Sequence, residues 1–143
     1  MIVLYKPEPE DLLFRQKLVQ DERTMSFNRR WGGTVPFPES AWDAWYDRWL
    51  VHHENRRFYR YLMNTETGSF VGEAAYRFDD ERGIWLADII VLDEFRGNAG
   101  GEKYQCILVD PLQHRVLDIL PDRKRACLAN YFYSIPKAER YHV

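Results

Sequence analysis

Two acids and one glycine-dense loop are the residues of this chain whose types and spacing could do chemistry. Asp88 is the single charge inside an apolar run over residues 86–92, and Glu73 is a charge in another apolar run over residues 70–78. A carboxyl held among apolar neighbours loses hydration, which raises its pKa toward a value useful for accepting a proton. The plainer reading of each is an acid that faces solvent or pairs with an arginine. A few residues beyond Asp88 stands Arg96-Gly97-Asn98-Ala99-Gly100-Gly101, which holds three of the eight glycines of the chain. Residues without side chains let another group approach the main chain closely. Such a loop leaves backbone N–H groups uncovered and available to an anion.

The elements that would position these groups follow from periodicity. Residues 86–92 are short, rich in Ile and Val, and bounded by turn chemistry, which predicts a buried strand. Beyond the loop, Tyr104, Ile107 and Leu108 stand at i, i+3, i+4, and a short amphipathic helix is predicted over residues 102–109. Strand, glycine loop and helix N-terminus in that order make an anion site, because free amides and the positive end of the helix dipole converge.

The loop sequence resembles the acetyl-CoA pyrophosphate loop of the GNAT acetyltransferase superfamily, Arg/Gln-x-x-Gly/Ala-x-Gly/Ala, and Ile89-Ile90-Val91 resembles the strand that precedes it. The order of elements from Met1 to about Tyr133 is similar more loosely. The resemblance implies an α+β fold with a mixed, mostly antiparallel central sheet flanked by helices. It implies acetyl-CoA as co-substrate, with the pyrophosphate on the amides of Arg96, Gly97, Asn98, Ala99, Gly100 and Gly101 and the pantetheine along Ile90 and Val91. Backbone dipoles there would polarise the thioester carbonyl. Asp88 or Glu73 would be the base that deprotonates an amine acceptor, and Tyr131 or Tyr133 the group that protonates the leaving thiolate. The tyrosines are equally readable as core. Departures lie in the C-terminal third: Ala99 replaces the commoner Gly, Pro111 cuts the predicted helix early, and Phe132-Tyr133-Ser134-Ile135 stands where the family's final helix often closes with Gly-Phe. The last hairpin is expected to be short or atypical.

The remaining chain reads as one domain over residues 1–143, with 45% hydrophobic and 15% aromatic residues. A strand near residues 2–6 precedes a helix opened by Pro7-Glu8-Pro9-Glu10-Asp11, with Leu12, Leu13, Phe14, Leu18 and Val19 as its buried face. Residues 24–39 fit neither period and are read as an aromatic-rich loop, packed over a core edge or walling a substrate pocket. Trp42, Trp45, Tyr46 and Trp49 form a helical stripe read as core. Residues 57–63 and 70–78 form an antiparallel hairpin that meanders into the strand of Asp88, with Gly72 marking a bulge or close approach. Residues 114–120 are read as a further strand and 123–133 as a helix.

The formal charge of −2, without a basic stripe flanking stacked aromatics, argues against nucleic-acid binding. No apolar run approaches the ~20 residues of a membrane span, and no signal-peptide pattern opens the chain. Cys106 and Cys127 lie in apolar helical patterns, so a cytoplasmic protein with reduced thiols is expected. No metal is expected, since no Cys or acid stands at ligand spacing from the histidines. The leading expectation is an acetyl-CoA-dependent N-acetyltransferase acting on a small primary amine or an amino terminus, with Asp79, Asp80, Glu81 and Asp88 favouring a cationic acceptor. The alternative is a non-catalytic acyl-CoA-binding or protein-interaction module that docks through residues 25–37. A homodimer is left open.

Overall fold

The computed structural model describes residues 2–95, 106–110 and 115–120. Within them the protein is α+β. Four strands, β1 (Ile2–Tyr5), β2 (Arg57–Asn64), β3 (Phe70–Asp79) and β4 (Ile84–Val91), form one antiparallel sheet in the order β1-β2-β3-β4. A second sheet pairs β5 (Cys106–Asp110) with β6 (Arg115–Leu120), also antiparallel. The α-helix α1 (Leu12–Gln20) and the helix α2 (Trp42–Tyr46), which widens into a π-helical turn at Asp47–Val51, pack against the larger sheet.

The hairpins follow from turn chemistry. Asn64-Thr65-Glu66-Thr67-Gly68-Ser69 joins β2 to β3 with Gly68 at φ +70°, a left-handed conformation that glycine adopts without steric cost. The predicted hairpin and three-stranded meander are therefore present. β1 extends the sheet on the far side of β2, with Tyr5 opposite Tyr61.

Register assigns the faces. Tyr59 stands opposite Ala75 and Ala75 opposite Asp88, while Tyr61 stands opposite Glu73 and Glu73 opposite Ile90. Because residues i and i+2 of a strand share a face, Tyr59, Tyr61, Glu73, Ala75, Arg77, Leu86, Asp88 and Ile90 line one side of the sheet. That side meets the helices: Tyr59, Tyr61 and Ala75 pack with Leu50, Phe14, Trp45 and Trp49, and Ile90 packs with Leu18 and Met25. On the reverse side Ile2, Leu62, Ala74 and Val91 form another apolar cluster. Each buried Leu, Ile or Val among them contributes roughly 1.5–3 kcal/mol.

Helix α1 is fixed at its start by a single carboxylate. The Asp11 side chain accepts hydrogen bonds from the Glu8 amide at 2.9 Å and the Tyr5 hydroxyl at 2.8 Å, and the Tyr61 hydroxyl donates to the Asp11 carbonyl at 2.8 Å. One aspartate thus holds the helix entry to β1 and β2. Leu12, Leu18 and Val19 are buried as expected, but Leu13 is 64% exposed, because it projects away from the face those three define.

Two expectations need correction. Residues 24–39 are not a plain loop: a 3-10 helix covers Thr24–Trp31 and another Glu39–Ala41. The Asp21 carboxylate receives the Thr24 amide at 3.0 Å together with the Thr24 hydroxyl, and that hydroxyl accepts from the Asp93 amide at 2.9 Å, so the segment is pinned to the end of β4. Met25 and Phe37 are buried, and among the residues whose burial is described Phe27 and Val35 are the exposed large hydrophobics in the stretch proposed as a docking surface. The second correction concerns the helix predicted over residues 102–109. Cys106–Asp110 is a strand paired with β6, so Cys106 lies in a sheet and the expected helix is absent over those residues. β6 at Arg115–Leu120 agrees with the strand read there. The loop 96–101, Cys127, Tyr131 and Tyr133 lie outside the described residues.

Gly72 sits where β3 meets β4 most closely: a Cβ there would collide with the Ile90 carbonyl oxygen. The nearby register shift falls between Leu62 and Met63 on the opposite strand. Gly72→Val should therefore part the two strands and lower unfolding free energy by about 1–3 kcal/mol in urea denaturation; an unchanged midpoint would show that the sheet yields at no cost.

Candidate functional site

Among the described residues Glu73 is the charged side chain that is buried, at 2% exposure in the middle of β3. An isolated buried carboxylate is costly, so its partners decide whether it survives. The Tyr59 hydroxyl donates to Glu73 Oε2, and Arg15 Nε from α1 lies 3.5 Å from the same oxygen. The Arg15 guanidinium carbon lies 4.4 Å from the Phe37 ring centroid and 4.5 Å from that of Trp45, so aromatic faces hold the cation. Trp45 meets Tyr59 edge-on with centroids 4.6 Å apart. Arg15 Nε is buried and makes no hydrogen bond of its own, its approach to Glu73 being an ion-pair contact.

These residues form the inner end of a cavity of about 230 Å³ lined by Arg15, Trp45, Trp49, Tyr59, Glu73, Ala75, Tyr76, Arg77, Leu86 and Asp88. Sheet register brings Asp88 onto the face of Glu73, one step diagonally across β3 and β4. The two acids singled out in the sequence therefore line one cavity, Glu73 deep and Asp88 exposed at its rim.

Their electrostatics differ. Burial pushes the Glu73 carboxyl up; Arg15 and the Tyr59 hydrogen bond pull it back, and the Asp88 charge adds a smaller upward push. Burial and the adjacent Glu73 raise the Tyr59 phenol well above its usual range, so Tyr59 remains a donor to Glu73 at any ordinary pH. The Asp88 carboxyl is also raised, by crowding on its protein side and against the pull of Arg15. Its residue surface still opens to solvent, which moderates that desolvation. Glu73 is thus an enclosed group already partnered by Tyr59 and Arg15, and Asp88 is the acid a molecule entering the cavity would meet.

Of the four acids read as favouring a cationic acceptor, Asp88 alone lines this cavity. Arg56 pairs with Asp80 and Arg82 Nε lies 3.7 Å from Asp79, and neither Asp79, Asp80 nor Glu81 lines the cavity. Ile90 and Val91 sit in the sheet opposite Glu73 and Gly72, and the Leu92 amide donates to the Val71 carbonyl at 2.9 Å. Trp45 and Trp49, read as core, do pack in the core, yet they also wall the cavity. Arg15 and Tyr59 were not singled out by the sequence: an Arg within an amphipathic helix and a Tyr within a strand carry no local mark of a shared buried carboxylate. Among the described residues no group of three or more His, Cys, Asp or Glu could hold a metal ion, and no helix is long and apolar enough to cross a membrane.

A family model described as a transposase matches residues 90–143, fewer than half of the chain; the match includes β5 and β6 and excludes every residue lining the cavity. No curated protein sequence matches the chain. Among solved structures it is similar to a Trypanosoma brucei acetyltransferase, at 16% identity and a TM-score of 0.42, over 68% of this chain and 64% of that one. The chain thus spans somewhat less than two thirds of that protein.

The raised Glu73 carboxyl has a measurable sign. A carboxyl raised in the folded state contributes stability that is fully present below its unfolded value, ordinarily 4.5, and is lost as pH rises through the higher folded value. Glu73→Gln removes that titration. The unfolding free energy of the parent minus that of Glu73→Gln, from urea denaturation at matched pH, should fall from about pH 4.5 toward neutrality. A difference that rises with pH would mean that Arg15 and Tyr59 overcome burial.

Proposed function

We propose that this protein is an acetyl-CoA-dependent N-acetyltransferase whose primary amine acceptor enters the cavity between α2 and β4. The observation that carries the reading is the pairing of a buried acid, partnered by Tyr59 and Arg15, with an accessible one in an aromatic-walled cavity. Asp88 stands at the rim, four residues before the end of the apolar run that leads into the Arg96 loop. An ammonium is not nucleophilic. It must lose its proton before it attacks a thioester carbonyl, and a carboxylate raised from its ordinary range and open to the acceptor is suited to take it. Glu73, enclosed by Tyr59 and Arg15, keeps the inner wall in place.

The resemblance of residues 96–101 to a pyrophosphate loop supports acetyl-CoA as the acyl donor. Since Cys106–Asp110 is a strand, the grip on the diphosphate would rest on Arg96 and the loop amides. That strand, standing where a helix would have completed the anion site, favours a second reading in which the cavity and loop bind ligands without turnover.

Isothermal titration with acetyl-CoA and a coupled thiol-release assay over a panel of primary amines separate the readings. The parent should bind acetyl-CoA and release coenzyme A only with an amine present. Asp88→Asn should keep the affinity for acetyl-CoA while turnover drops roughly 10²–10⁴-fold. Binding without thiol release from any amine supports the second reading, and no binding removes both.

A further inference from the structure

Arg77 and Asp88 line the same cavity with opposite charges, and neither is used by the buried cluster. Both are exposed. Register puts Asp88 opposite Ala75 and Arg77 opposite Leu86, so the two side chains rise from one face of adjacent strands at a diagonal spacing. Nearby arginines do find acids: Arg56 pairs with Asp80, Arg82 with Asp79 and Arg15 with Glu73. Arg77 and Asp88 form no ion pair with each other or with any other described residue. Between and behind them lie Leu86, Ala75 and the half-buried Trp49, an apolar wall whose Trp49 ring centroid lies 5.9 Å from the Arg57 guanidinium. Glu73 does not compete for a cation, because Arg15 and Tyr59 already occupy it.

We propose that the cavity takes a free α-amino acid with an apolar side chain, its ammonium group at Asp88, its carboxylate at Arg77 and its side chain against Trp49 and Leu86. This rests on the reading of the cavity as the acceptor site and narrows the acceptor from primary amines at large to zwitterions. A peptide amino terminus carries the ammonium but replaces the adjacent carboxylate with an uncharged amide, so it would leave Arg77 without its charged partner. A hydrogen-bonded pairing with a guanidinium is directional and stronger than one between neutral groups.

The test is isothermal titration of the full chain, without acetyl-CoA, with L-leucine and L-phenylalanine. Each is compared with its decarboxylated analogue (3-methylbutylamine, phenethylamine) and its deaminated analogue (4-methylpentanoate, 3-phenylpropionate). At least one amino acid should bind, about 10-fold or more tighter than either of its analogues. Arg77→Gln should weaken the amino acid about 10-fold while leaving the amine analogue unchanged, and Asp88→Asn should weaken the amino acid about 10-fold while leaving the acid analogue unchanged. Arg77→Lys, which keeps the charge, should restore part of the loss. Circular dichroism of each variant checks the fold. Equal affinity for amino acid and amine, no binding by any of the six compounds, or equal weakening of all ligands by Arg77→Gln would overturn the proposal. Acetyl transfer to the amines without preference for the zwitterions would leave the transferase reading standing and remove this one. Carboxylate-dependent binding without any transfer would do the converse.

Discussion

The sheet of this protein carries a carboxylate at its centre, and the arrangement around it depends on how that charge is accommodated. Glu73 is enclosed on the helix-facing side of β3 by a phenol from β2 and a guanidinium from α1. The guanidinium in turn lies against the rings of Phe37 and Trp45, which belong to the segments before and within α2. One buried acid therefore ties together four elements distant in sequence. Removing any partner would leave a charge or a donor enclosed without compensation, which costs more than the pairing contributes. Polar clusters of this kind fix how helices sit on a sheet, since sliding α1 by one residue would carry Arg15 away from its acid.

That fixed placement explains why a cavity exists. Large aromatic side chains on α2 pack against Tyr59 and Tyr61, yet between Trp49, Leu86 and Asp88 the packing stops short and leaves an opening. The deep wall is charged but neutralised, the sides are apolar, and the rim carries one free acid and one free base among the described residues. Such a surface recognises charge at its mouth and shape within.

Much of the sheet was legible in the sequence, because β2, β3 and β4 are apolar runs separated by Gly- and Asp-containing turns. The tryptophan stripe gave α2, and both acids stood out as charges in apolar strands. Other features were not local. Leu13 is apolar but lies on the wrong side of α1, a matter of angle that a list of apolar residues does not convey. Residues 106–109 are four consecutive apolar residues whose spacing also fits a helix; a short apolar run does not distinguish the two, and pairing with β6 decides for strand. Thr24–Trp31 has no clean period, yet it forms a 3-10 helix whose first residue is held by the Asp21 carboxylate through its amide and hydroxyl. Arg15 and Tyr59 acquire meaning only when register and helix packing bring them to Glu73.

The account stands on the ionisation of two carboxyls, one enclosed and one at the rim. A carbon-13 NMR titration of protein labelled at its Glu and Asp side-chain carboxyls, with Glu73 and Asp88 assigned through Glu73→Gln and Asp88→Asn, measures both directly. Both groups are predicted to titrate above their ordinary values of 4.5 and 3.8. Ordinary or lower values for the pair would contradict this, since the pull of Arg15 and Tyr59 would then outweigh burial at Glu73 and Asp88 would be an unremarkable surface acid.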